Sequence, residues 1–536
     1  MKKNNINFIF GLLNKKKVAL CMFIEAFLDF IYYVIPYTFA LFLTMPFTVE
    51  KAIIVASIFI FSKSIRCFIL WLERKIMDNY LYEYSKVQYL EYYKKLTQVP
   101  VETLSKYQTG YLENIIEKIS ELVKKILSAE YIGIILSFGF FFYTVFNQSK
   151  TLFFISLLLS ILCIAMSVYI LKKSNKHVEN LYDKEYEYSS VYQDFISNIR
   201  TVKALNDNKY FEKIICKQAN ESYQKNTKYV KCYSLEELIR NILIVIPFAL
   251  AIIKSVIDLS NGIDTLGIIT FYISIYLEMG FIFDELSGTI VSCFELKALK
   301  KKCIQLFSKL DNRNILDKFN KIELDNISLR YKESNFDITV PNIVINVGDK
   351  ISITGKSGQG KTSIINLILG NINTYKGTAQ IDQNDLKNTR LDIGVVSQEI
   401  ELFNMSIKDN LCLDKLISDD EIISYLKELE LNEILMFENG IHTIVGEKGL
   451  KLSTGQKRRI NILRSYLMDK NIYILDEPTS NLDKHTEEIV VNFILKYFKD
   501  KTLIIATHNE KINEICNKFY HFENHNLTVE TFPIKP

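Results

Sequence analysis

The chain lacks a basic stripe, a paired-cysteine motif and a small-residue cleavage site after its first apolar stretch. Its 65 Lys and Arg stand against 61 Asp and Glu, a net charge of +4, and the basic residues are dispersed, which argues against nucleic acid as a partner. Nine cysteines are present without one C-x-x-C pair or His-spaced metal pattern. They read as reduced and mostly buried thiols. The first long apolar stretch follows Lys15, Lys16 and Lys17, has no small-residue cleavage site and runs too long for a signal peptide, so it reads as a retained membrane anchor. Proline is nearly missing from the two long polar stretches 73–130 and 172–238, where Pro100 is the only one. Both stretches therefore read as helical hairpins, with arms reaching roughly 35 Å.

What is present divides the chain unevenly. At 536 residues it is too long for one core and fits roughly two to four domains. Residues 1–310 carry apolar runs of membrane-spanning length, 311–320 read as a linker, and 321–536 read as a soluble α/β pattern. Six spans are expected, near 18–44, 52–72, 131–147, 152–171, 240–259 and 265–290. The short connections 45–51, 147–150 and 258–264 hold two Lys and no Arg, whereas the other segments are rich in basic residues, chiefly Lys. By the positive-inside rule both ends of the chain are cytoplasmic. Charges fall inside the spans: Glu25, Asp29, Lys63, Arg66, Lys254, Glu278 and Glu285. They read either as a translocation pathway with an acidic bias or as structural ion pairs.

The stretch that organises the second half is 355–362, GKSGQGKT, between an apolar strand and an apolar helical run. It matches the phosphate-binding loop G-x-x-x-x-G-K-[ST] in the context that pattern requires. Gly355, Gly358 and Gly360 let backbone N–H groups turn inward around a phosphate, together with Lys356, Ser357 and Gln359. Lys361 then reaches the β- and γ-phosphates, Thr362 offers its hydroxyl to Mg²⁺, and Ser363 opens the helix. Residues 471–478, NIYILDEP, form an apolar strand ending in two acids, which suits Asp476 to Mg²⁺ and Glu477 to polarising the attacking water. Between them lies LSTGQ, 452–456, before a basic helical run, 457–464. SNLD, 480–483, follows the acids, His508 ends the strand 502–507, and Gln398 follows the strand 393–397. Tyr331, 30 residues before Lys361, reads either as an adenine-stacking aromatic or as one more strand aromatic.

This ordered set resembles the ATP-binding cassette transporters, specifically the exporter type in which six membrane helices and one nucleotide-binding domain share a chain. The likeness covers essentially all 536 residues. It implies an all-α membrane domain followed by an α/β P-loop NTPase domain, with ATP and Mg²⁺ as cofactors. By this resemblance Tyr331 is the adenine-stacking aromatic, Gln398 the Q-loop glutamine between metal and membrane domain, and Ser453, Thr454, Gly455 and Gln456 the signature loop. Asp483 ends the D-loop, His508 is the switch histidine, and Glu477, Lys361, Gln398 and His508 form the catalytic set. Residues 445–449, VGEKG, are similar to a stretch typical of exporters, and 109–112 and 199–205 resemble coupling segments. Thr454 stands where the family usually has Gly, which places a β-branched side chain in a loop that approaches a γ-phosphate. Pro478 replaces a common Ala and carries no functional weight.

The family's ATP site pairs the P-loop of one subunit with the signature loop of another, so the resemblance implies a dimer. A homodimer is favoured because no catalytic position is degraded; a heterodimer with a sister half-transporter stays open. The expected function is ATP-driven export of a peptide, lipid or amphipathic small molecule, the acidic spans tilting toward cationic cargo. An ATP-gated channel or regulator, import by the same fold, and a soluble-type cassette ATPase on a membrane anchor are the alternatives. A leader-peptide-cleaving transporter is not expected, since the chain begins 17 residues before the first span. The Lys-, Asn- and Ile-rich composition points to the plasma membrane of a bacterium.

Overall fold

The computed structural model describes residues 49–107, 109–127, 131–261, 266–308, 310–330, 337–356 and 358–530. The first expected span with Glu25 and Asp29, the aromatic Tyr331, and Ser357 of the P-loop lie outside the described residues, as do the side chains of Lys63, Arg66 and Glu278. The chain forms two compact units, one ending at Leu310 and the other beginning at Asp311.

The first unit is helical: α1 (Val49–Leu96), α2 (Val101–Leu104), α3 (Thr109–Leu127), α4 (Tyr131–Gln148), α5 (Lys150–Ser197), α6 (Ile199–Leu205), α7 (Asn208–Ser260) and α8 (Leu266–Leu306). With 48 residues each in α1 and α5 and 53 in α7, these rods are far longer than a bilayer needs. A 48-residue helix runs about 72 Å, so span and polar extension are one continuous element. Among the described residues, Lys150–Ser174 and a stretch within Asn208–Ser260 pass a strict length-and-hydropathy test for crossing a membrane. Each polar hairpin turns through a one- to two-turn helix, α2 in the first and α6 in the second. The second reversal is marked by Asn206 at φ 52° and by Asp207, whose carboxylate caps α7 by accepting from Tyr210 N at 3.2 Å.

Two apolar clusters hold this unit. In the polar extensions Ile115, Ile119 and Val123, spaced i, i+4, i+8 on α3, are fully buried with Tyr92 of α1, Tyr186 of α5 and Leu299 and Cys303 of α8. That spacing places them on one helix face. A second cluster gathers Phe141 and Val145 of α4 with Tyr276, Met279 and Phe283 of α8, and the Phe141 and Tyr276 rings meet edge to face at 5.2 Å. Ser156 of α5 hydrogen-bonds the Tyr276 hydroxyl at 2.8 Å.

Of the charges whose side chains are described, Lys254 takes the structural course. Lys254 Nζ pairs with Asp258 Oδ2 one turn on in α7 at 2.5 Å, and Glu285 is exposed. A more consequential group was not among the sequence candidates, because Glu236 and Arg240 sit at the polar edge of the fifth span. Arg240, 3% exposed, hydrogen-bonds Asp284 of α8 and lies 3.3 Å from Oε1 of Glu236, itself 1% exposed. That oxygen also accepts from Ser167 of α5 at 2.6 Å. Three helices are thus joined through one ion pair, α8 by the Arg240 guanidinium and α5 by the Glu236 carboxylate. Removing one partner of a buried pair strands the other charge, at a cost of about 3–5 kcal/mol. Arg240→Leu is therefore expected to lower the thermal unfolding midpoint of the detergent-solubilised protein. Glu236→Gln in the same background should restore part of it, and an unchanged midpoint for the single variant would contradict this reading.

The second unit is built on an 11-stranded mixed sheet. Its strands are β2 (Lys321–Arg330), β3 (Asp337–Val340), β4 (Ile343–Asn346), β5 (Lys350–Gly355), β6 (Lys376–Ile381), β7 (Asn384–Asp385), β9 (Ile393–Val396), β10 (Ile472–Asp476), β11 (Thr502–Ala506), β12 (Lys518–Glu523) and β13 (Asn526–Glu530). A separate parallel pair joins β1 (Asn314–Leu316) to β8 (Thr389–Leu391). Part of the expected linker 311–320 is folded into this unit. Asp311 accepts from Arg313 Nε at 2.7 Å, and Arg313 Nη1 reaches Asn373 Oδ1 at 3.2 Å, which anchors β1.

Strands β12, β5, β11, β10 and β9 run parallel in that order. Every residue of β10 and β11 is buried, which explains why both read as unbroken apolar runs rather than as alternation. Helices α9 (Lys361–Ile368), α10 (Ile407–Cys412), α11 (Asp419–Glu428), α12 (Asn432–Leu435), α13 (Thr454–Leu467), α14 (Lys484–Tyr497) and α15 (Glu510–Asn513) complete the unit. Register sets the site: Ala506 pairs with Asp476 and with Ile353, and Leu475 pairs with Val396. The carboxyl ends of four neighbouring strands therefore finish together, where open parallel sheets place their ligands.

Candidate active site

The loop from β5 to α9 takes a path reserved for glycine. Gly355 has φ +136°, and a Cβ there would lie 2.7 Å from Phe522 Cβ and 2.9 Å from the Phe522 carbonyl oxygen. Gly360, at φ +124°, has Ile338 and Phe522 packed where its Cβ would be. Gly355→Ala is expected to cost about 1–3 kcal/mol from backbone strain alone, before the clash is counted. Thermal melting of the variant checks this, and an unchanged midpoint would contradict it. Gln359 ties the loop to the β12–β13 turn by accepting from His525 N at 2.9 Å. Lys356 is exposed and Ser363 half-buried.

At the first position of α9, Lys361 is 6% exposed and turns back over the loop. Its Nζ donates to Gly355 O at 2.7 Å, stands 3.1 Å from His508 Nε2 and 3.3 Å from Glu477 Oε1. Gln398 closes the other side, donating its side-chain nitrogen to Glu477 Oε2 at 3.2 Å. Glu477 itself follows β10 with φ 50°, and its N–H donates to Ala506 O at 2.8 Å. The strained backbone turns the carboxylate out of the sheet and toward the P-loop. The set named from sequence is thus brought together as a chain of contacts: Lys361 and Gln398 touch the Glu477 carboxylate, and His508 joins through Lys361.

Asp476 is 5% exposed, and its Oδ2 accepts from the Thr362 hydroxyl at 3.4 Å. Burial first, and the neighbouring Glu477 second, hold its carboxyl above the usual range. A hydroxyl and a carboxylate are hard oxygen donors, and a divalent cation between them relieves the crowding of two acids. No group of three or more metal-ligating side chains occurs among the described residues. A Mg²⁺ ion fits such a place, because it commonly takes one or two protein ligands and draws the rest from phosphate and water.

The signature loop is a helix start. Ser453 caps α13, its Oγ accepting from Gln456 N at 3.2 Å while Gln456 Oε1 accepts from Ser453 N at 2.9 Å. This reciprocal S-x-x-Q box is legible in the sequence. The Gln456 amide nitrogen goes on to Glu433 Oε2 at 2.6 Å, so this side chain is committed within its own chain. Ser453 and Thr454 are exposed. Among the described residues a Cβ on Gly455 would meet nothing closer than Leu482 Cδ2 at 3.6 Å, an ordinary contact, so none of them calls for glycine there. Asp483 caps α14, accepting from Thr486 N at 3.0 Å and Thr486 Oγ1 at 2.7 Å. Those bonds, the backbone one first, hold its carboxyl below the usual range.

Comparison with known proteins agrees with this geometry. Residues 18–281 match the ABC transporter transmembrane region, and 339–480 match the ABC transporter nucleotide-binding family. ABC transporter B family member 1 of Dictyostelium discoideum is 29% identical over 370 residues, 64% of this chain and 40% of that protein. The heavy metal tolerance protein of Schizosaccharomyces pombe is 28% identical over 61% of this chain and 41% of its own length. A putative multidrug export ATP-binding/permease protein of Staphylococcus aureus is 33% identical over 39% of this chain and 38% of its own. The matches thus take in about two fifths of these curated relatives. Among solved structures, a bacterial Atm1-family ABC exporter with ATP bound shares the fold, with a TM-score of 0.80 at 18% identity over 95% of this chain and 93% of that one. Since the two halves match, in order, the membrane region and the nucleotide domain of a single family, the chain belongs to the ABC transporters, as a helical membrane domain fused to a nucleotide-binding domain.

Proposed function

We propose that the protein is an ATP-driven transporter that exports a peptide, lipid or amphipathic small molecule by alternating access. The observation that carries this reading is the contact of Lys361 and Gln398 with Glu477, with His508 against Lys361, beside a glycine-built phosphate loop. The loop holds the β- and γ-phosphates of ATP, with Lys361 exchanging Gly355 O for phosphate oxygens. A Mg²⁺ ion, held by Thr362 and Asp476 with Gln398 nearby, would supply charge neutralisation on those phosphates. Glu477 accepts the proton of the attacking water, Gln398 orients that carboxylate, and His508 sits where negative charge grows on the γ-phosphate. Tyr331, outside the described residues, is the aromatic that the resemblance assigns to the adenine.

The exposed Ser453 and Thr454 serve a second chain. With nothing among the described residues calling for glycine at 455, the close approach that favours it comes from outside, from the nucleotide on a partner's P-loop. Two copies then form two sites, and a homodimer is the simplest assembly. Closure of the two nucleotide domains shifts the membrane domains only by the difference in ATP affinity between closed and open dimers. Both termini lie in the cytoplasm and the membrane is a bacterial plasma membrane. Inverted vesicles test the direction. ATP-dependent accumulation of one cargo class inside them supports export, and ATP-dependent depletion of preloaded cargo contradicts it.

A further inference from the structure

Glu477 is enclosed by a ring of hydrogen bonds that closes through a residue outside the catalytic set. Arg458 stands on the second turn of α13 and is 2% exposed. Its Nη1 donates to the Ser397 carbonyl at 3.2 Å, and its Nη2 donates to Ser480 Oγ at 2.9 Å. Ser397 directly precedes Gln398, which donates to Glu477 Oε2 at 3.2 Å. Ser480 N donates to the Glu477 carbonyl at 3.2 Å. The circuit therefore runs from Arg458 through Ser397 and Gln398 to Glu477, and back through Ser480.

We propose that Arg458 is a positioning residue: it ties the loop carrying Gln398 to the loop carrying Ser480, and so fixes the Glu477 carboxylate for turnover. This rests on the reading of the site as an ATP hydrolase. A planar guanidinium suits the task because two of its N–H groups reach two acceptors on separate loops at once, which a single ammonium does less well. Burial weakens its hold on the proton, and the nearby Glu477 and Asp476 carboxylates oppose that, so a charged guanidinium is tolerated deep in the domain. Because Arg458 lies five residues from Ser453 on the same capped helix, a shift of the signature helix is carried to Glu477 by the same two bonds.

The test uses the full-length protein in lipid nanodiscs, with steady-state ATPase kinetics and fluorescent-nucleotide binding for wild type, Arg458→Gln, Arg458→Lys, Ser480→Ala and the Arg458→Gln/Ser480→Ala pair. Arg458→Gln is expected to keep KM and nucleotide affinity within about two-fold and to lower kcat roughly 10- to 100-fold, the scale of a small misplacement of a catalytic group. Arg458→Lys should recover part of kcat. The double variant should be no worse than Arg458→Gln, since both changes cut the same arm. Wild-type kcat in Arg458→Gln overturns the proposal, as does a loss of nucleotide affinity equal to the loss of kcat. If Arg458→Gln fails to fold, Ser480→Ala decides: reduced kcat at unchanged KM supports the ring, and unchanged kcat overturns it. A wild type without ATPase activity, or one matched by Glu477→Gln, instead overturns the hydrolase reading on which the proposal stands.

Discussion

Glu477→Gln is expected to lower the steady-state rate of ATP hydrolysis by about 100-fold or more while ATP binding stays within a few-fold of wild type. Glutamine keeps the shape of the side chain and can still bond Gln398, so the 3.2 Å contact on that side survives in some form. What it removes is the basic oxygen that accepts the proton of water, and with it the charge paired with Lys361 at 3.3 Å. Lys361 loses a competitor for phosphate, which leaves affinity unchanged or slightly improved. Nucleotide is then held without being consumed, and the protein accumulates in the closed dimer. Hydrolysis at the wild-type rate in this variant would remove Glu477 from the chemistry.

Lys361→Ala is expected to weaken ATP binding by about 10- to 100-fold, the worth of one charge-assisted contact to phosphate at roughly 1.5–3 kcal/mol. The lysine is nearly buried and already faces inward, so little ordering is needed for it to meet a phosphate. Alanine also leaves Glu477 without its cation and removes the bridge to His508 at 3.1 Å. The two carboxylates at 476 and 477 then repel with less relief, Arg458 being the cation left near both, and the variant should melt below the wild type in nucleotide-free buffer. Titration with a fluorescent ATP analogue reads the first effect. An affinity equal to the wild type would place the phosphates elsewhere.

Local signals and long-range geometry were legible in the sequence to different degrees. The P-loop, the buried runs ending at Asp476 and Thr507, and the Ser453–Gln456 box are each written in a few consecutive residues, so spacing and residue type suffice. The meeting of Lys361 with Glu477 and His508 depends on the register of β5, β10 and β11, which only the sheet supplies. Arg458 was readable merely as part of a basic helical run, because its acceptors are a backbone carbonyl and a hydroxyl from two distant loops. Strand β1 is not legible in the sequence, since three residues carry no periodicity and its partner is 75 positions away at Thr389. Glu236 and Arg240 were passed over because hydropathy places them at a span's edge, whereas burial among three helices makes them core. The fate of Lys254 follows from a spacing that sequence does show, Lys254 and Asp258 being one helical turn apart.

The central claim is that one chain carries half of each ATP site. Its most direct test is the ATPase rate of nanodiscs sorted to contain one copy or two copies of the purified wild-type protein, at equal total chain and saturating ATP. The account predicts turnover from the two-copy particles and at most a few per cent of it per chain from single copies, with ATP binding retained in both. Equal turnover per chain from single copies would contradict the account, because Ser453 and its neighbours would then serve no partner.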